Sequence, residues 1–96
     1  GEAIARALGD RSAMVLKNHG LLTVRKSIPE AVILADTMEK QAEIQLLAMA
    51  AGTLDLPTLE GRQRTKKYLR SDLMIDRAWT FMMRNLARER PEVLEM

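Results

Sequence analysis

The residue best suited to chemistry is His19, the only histidine among 96 residues. It lies in Asn18-His19-Gly20, between two short apolar runs at 13–16 and 21–24. An imidazole at a strand edge, beside a glycine that leaves the backbone uncrowded, suits a metal ligand. From one histidine alone the favoured reading is a buried imidazole that only hydrogen-bonds its neighbours, because a single ligand is not a metal site. Asp36, Glu39 and Glu43 recur three or four residues apart, the spacing a carboxylate ladder on one helix face would need. Lys40 falls among them and no histidine joins them, so they read as surface charge. A third cluster, Arg62, Arg64, Lys66, Lys67 and Arg70, could hold a phosphate or a nucleic-acid backbone. Only Tyr68 adds an aromatic ring to it and no recognition-helix pattern appears, so it reads as a solvated basic face.

Composition narrows the classes. Fifteen Lys and Arg against thirteen Asp and Glu leave a net charge of +2, too small an excess to point to nucleic acid. The apolar share of 47% and charged share of 29% fit a folded domain and not a disordered chain. With no cysteine, disulfides, thiolate metal sites and cysteine nucleophiles are excluded. With only three aromatic residues, any core must be built from aliphatic side chains and the seven methionines. No apolar run reaches the roughly 18 to 20 residues of a membrane helix, and no signal peptide is visible. The expected setting is the cytoplasm, with no membrane and no nucleic-acid partner. The chain opens on Gly1 with residues that already read as helix, as the C-terminal part of a longer protein would.

The elements that position these residues follow from periodicity and caps. Residues 2–8 are helix formers with Ile4 and Leu8 on one face, stopped by Gly9. Two strands follow at 13–17 and 21–24, and the unbroken hydrophobicity of the first predicts burial on both faces. Ser27-Ile28-Pro29-Glu30 predicts a helix start, with Ser27 as cap, Pro29 in the first turn and Glu30 returning a reciprocal bond. That helix can run to Ala51 before Gly52, burying a stripe of Ala31, Leu34, Ala35, Met38, Ala42, Leu46 and Met49. Residues 44–51 are apolar nearly all round and call for a partner beyond the two strands. A weaker helix is expected over 58–70. A last one follows over 73–90, with Met74, Ala78, Phe81, Met82 and Leu86 on one face. Pro91 ends it, and the final residues should fray. The expected division is a helix-strand-strand-helix core at 1–56 and a helical tail at 57–96.

The run from Ala13 to Val24, the Glu30-Ala31 start, Glu43-Ile44-Gln45-Leu46-Leu47-Ala48 and Ala51-Gly52 together resemble the class II aldolase/adducin family. The likeness is strongest over 12–52. It extends loosely into Arg77-Ala78-Trp79 to Pro91, which is similar to the end of adducin-like bacterial members. The resemblance implies the C-terminal portion of a three-layer α/β/α domain that assembles as a homotetramer. Active members cleave, epimerise or decarboxylate small sugar-phosphate or related substrates with a divalent metal, commonly zinc. In that family His19 matches the last metal-binding histidine, with Asn18 and Gly20 shaping the turn that carries it. Tyr68 is a candidate substrate or phosphate contact, because family aldolases can draw a tyrosine from a neighbouring subunit's C-terminal region. The family's His-x-His pair and acidic proton-transfer residue have no counterpart here. The 96-residue chain alone is therefore expected to bind no metal and to be inactive. The alternative is a non-catalytic, adducin-like oligomerisation or scaffold module.

Overall fold

The computed structural model describes residues 1–96, in two compact units, Gly1–Thr53 and Leu54–Met96. The first holds α1 (Glu2–Leu8), β1 (Ala13–Leu16), β2 (Gly20–Thr23) and α2 (Ile28–Ala51). The second holds α3 (Leu59–Leu69), α4 (Asp72–Glu89) and a closing 3-10 turn, Pro91–Glu95. The chain is mostly helical with one small two-stranded sheet, compatible with the α/β class expected.

The strands pair antiparallel in the register Ala13 with Thr23, Met14 with Leu22, Val15 with Leu21 and Leu16 with Gly20. A further bond from the Val24 N–H to the Ser12 carbonyl, 2.8 Å, extends the ladder at its foot. Helix α2 lies against β2, and the Thr23 hydroxyl donates to the Ala31 carbonyl at 2.9 Å. Burial of β1 on both faces does not hold within this chain: Val15 is 76% exposed and no apolar side chain is fully buried. The sheet has two strands and one helix packed on it, so one neighbour cannot cover both faces.

The α2 stripe is corrected for the same reason. Ala31, Leu34, Ala35 and Met38 are half-buried, whereas Ala42, Leu46 and Met49 are exposed. Strands of four residues extend about 13 Å, while a 24-residue helix extends about 36 Å. The hairpin therefore covers only the first part of α2, and residues 39–51 project beyond it. The start of α2 is capped as expected, with the Ser27 hydroxyl accepting from the Glu30 N–H at 3.3 Å. The reciprocal bond differs. The Glu30 carboxylate accepts a hydrogen bond from the Ser27 hydroxyl at 3.1 Å and not from the Ser27 N–H, and its other oxygen faces the Arg25 guanidinium.

In the second unit Ser71 joins two helices: its hydroxyl donates to the Tyr68 carbonyl at 2.7 Å and accepts from the Met74 N–H at 3.4 Å. Met74, Ala78, Met82 and Leu86 are half-buried on α4, but Phe81 is 66% exposed. At about 100° per residue, the covered arc drifts toward Ile75, Trp79 and Met83, which leaves Phe81 beyond its opposite edge. Pro91–Glu95 forms a 3-10 turn where fraying was expected. Beside it the Arg90 guanidinium donates to the Glu92 carboxylate. That bond, with Glu92's own backbone, holds its carboxyl below the ordinary 4.5.

Two outcomes follow from these contacts. Ser71→Ala removes a cap and should lower stability by about 1 kcal/mol in urea unfolding, with Ser71→Asn recovering most of it. A lowered carboxyl pKa stabilises the folded form above the unfolded value, and that gain is lost as pH falls through the folded value. Amide exchange at Val93, whose N–H donates to the Arg90 carbonyl, should therefore accelerate in acid relative to intrinsic rates once pH drops below the ordinary glutamate value.

Candidate functional site

The three residues 17–19 join the last paired positions of the hairpin, Leu16 and Gly20. The His19 N–H donates to the Leu16 carbonyl at 3.1 Å and closes the turn. Such a turn needs left-handed backbone, and the sequence supplies residues that tolerate it. Asn18 has φ 64 and Gly20 has φ 127. Asparagine enters this region more readily than most side chains, and glycine enters it without steric cost. A Cβ on Gly20 would meet nothing within 4 Å, so the demand for glycine is conformational and not spatial.

His19 is thus carried at the tip of the hairpin, exposed, with no hydrogen bond from its imidazole within the chain. The alternative of a buried histidine bonded to its neighbours does not describe this chain. No three His, Cys, Asp or Glu side chains converge anywhere in it. A catalytic zinc site takes three protein ligands and an open position. The residues present therefore do not fit a divalent metal by themselves. In the carboxylate series, Asp36 pairs with Lys40 at 2.9 Å, leaving a surface ion pair in place of a ladder. Tyr68 lies near the end of α3 in the second unit and is 59% exposed. None of the cluster's five cations, four in α3 and Arg70 at its C-cap, pairs with a carboxylate in the chain.

A polar cluster at the foot of the hairpin was not anticipated as a unit. Glu30 is the only buried residue of the chain, 6% exposed, and its carboxylate lies 3.7 Å from the Arg25 guanidinium. Arg25 also donates to the Ser12 hydroxyl at 3.1 Å. Arg25, in the segment after β2, so ties the residue before β1 to the first turn of α2. The signal available in the sequence was position: pairing Ala13 with Thr23 places Ser12 beside the residues that follow β2.

Residues 1–46 match the Class II Aldolase and Adducin N-terminal domain. The chain is 35% identical over 74 residues to decarboxylase NovR of Streptomyces niveus, a match covering 77% of this chain and 27% of that protein. It is 27% identical over 95 residues to a putative aldolase class 2 protein of Pseudomonas aeruginosa, covering 88% of this chain and 35% of the relative. To the 3,4-dihydroxyphthalate decarboxylase of Rhodococcus jostii it is 31% identical over 52 residues, 54% of this chain and 21% of that enzyme. The chain thus spans between about a fifth and about a third of the length of these relatives. No solved structure matches it significantly. The family match falls on residues 1–46, overlapping the stretch 12–52 whose motifs resemble that family. No helix is long and apolar enough to cross a membrane.

The turn makes its own prediction. Gly20→Ala should cost more than about 1 kcal/mol in chemical denaturation, through backbone strain alone. Asn18→Gly should be nearly neutral, and Asn18→Val clearly destabilising.

Proposed function

With the class II aldolase and adducin match of residues 1–46 as premise, we propose that this chain is the C-terminal portion of a class II aldolase-like domain. The complete domain would be a three-layer α/β/α lyase or epimerase acting with a divalent metal, zinc foremost, on a small sugar-phosphate or related hydroxy-carbonyl compound. The observation that carries this reading is the exposed His19 at a hairpin tip, inside the matched span and free of bonds that would hold it for structure alone. Relatives named as decarboxylases and as an aldolase support the reaction class. Decarboxylation and aldol cleavage both break a carbon–carbon bond and leave an electron pair to be stabilised, the work of a Lewis acid.

This chain's own contribution is positional. The left-handed Asn18 and Gly20 turn the backbone so that His19 stands clear of the sheet as one ligand. The remaining ligands and the proton-transfer carboxylate would come from sequence preceding it. Assembly as a homo-oligomer, a tetramer in the intact protein, is supported by the apolar residues exposed on the second half of α2. Tyr68 would then be a substrate or phosphate contact, and the protein would act in the cytoplasm.

Metal content and native mass of the full-length gene product test the proposal. The expected result is an oligomer with about one divalent ion per subunit, lost in His19→Ala while the assembly persists. An oligomer whose purified and zinc-loaded forms both lack stoichiometric metal would overturn it in favour of an adducin-like scaffold.

A further inference from the structure

Nothing apolar is fully buried beneath the hairpin. Named polar contacts tie its foot to α2: Thr23 to the Ala31 carbonyl, and Glu30 to Arg25, which in turn holds Ser12. The Arg25 contacts involve both ends of the hairpin at once. Glu30 is the fixed point among them, because it is buried in the first turn of α2. His19 stands at the opposite end of the same ladder, about 13 Å away along four residue rises. A short paired ladder transmits a change of angle at its foot to its tip.

From this we infer that Glu30, acting through Arg25, is a positioning residue for His19. The clasp sets the direction in which the hairpin leaves α2, and so the place at which the imidazole is offered. The importance of that place rests on the function proposed above, but the clasp itself does not depend on metal. Glu30 also serves the helix cap, and the two roles separate cleanly by partner. Arg25 belongs to the clasp alone and the Ser27 hydroxyl to the cap.

The test uses the metal-free full-length protein, with amide exchange at His19 and the imidazole NMR signal identified by its loss in His19→Gln. Arg25→Gln and Glu30→Gln should each shift or broaden that signal and speed exchange of the His19 N–H about tenfold, as local opening of the hairpin would. Arg25→Lys, which keeps the charge, should restore most of the native signal. Ser27→Ala should speed exchange in the first turn of α2 and leave the His19 signal in place. Should Glu30→Gln fail to fold, the contrast between Arg25→Gln and Ser27→Ala still decides. A His19 signal unmoved by Arg25→Gln, or moved equally by Ser27→Ala, would overturn the inference. A protein that binds no zinc would remove the functional reading and leave these readouts intact.

Discussion

A carboxylate withdrawn from water is tolerated only when its oxygens are partnered, and Glu30 meets that condition on both sides. One oxygen receives the Ser27 hydroxyl and the other faces the Arg25 guanidinium. No buried polar side-chain atom of the chain lacks a partner. Because the first unit encloses no apolar core, this partnership does what packing does elsewhere: it settles how a strand pair meets a helix. Removing Arg25 would leave a buried charge facing a vacated position, which costs more than an exposed ion pair is worth. The exposed pairs Arg6 with Glu2 and Lys40 with Asp36, by contrast, lie each within one helix and settle nothing beyond it.

The second constraint is length. A hairpin of four-residue strands cannot shield a helix nearly three times as long, so the apolar residues of α2 divide into a half-covered set and an exposed set. Ile44, Leu46, Leu47 and Met49 lie in the exposed set. They project around most of the helix circumference, an arrangement that favours enclosure by more than one neighbour. A surface of this kind is rare on isolated soluble domains and common where chains meet.

Local chemistry was legible in the sequence, and contacts between distant segments were not. Gly9, Ser27, Gly52 and Ser71 mark helix ends through bonds to residues at most four positions away, Pro29 marks one by its place in the first turn, and the four α-helices and two strands fall within about one residue of expectation. The hairpin followed from two apolar runs around Asn18-His19-Gly20 in the same way. Burial was misread wherever it required knowing what lies opposite. Val15 and Met49 have the composition of a core, yet nothing in the chain is placed to cover them. Phe81 was misplaced by a drift of the covered arc that a fixed three-four spacing does not capture. Glu30 was recognised as a cap residue from its spacing to Ser27. Its ion pair with Arg25 joins a strand end to a helix start, and that depends on the angle between them.

The same distinction governs the chemistry of His19. What three adjacent residues can decide is complete here: a left-handed turn, a closing bond to Leu16 and an imidazole projected from the sheet. What a metal requires is convergence of several ligands, and convergence is a property of tertiary structure that no single turn can supply. A ligand brought from one hairpin is useful only if its direction is reproducible to a fraction of an ångström, since loosely held ligands forfeit both affinity and geometry. In a segment without an apolar core, that reproducibility has to come from directional polar contacts. The hydrogen bond from Arg25 to Ser12, together with the ion pair of Arg25 with the buried Glu30, is of that kind.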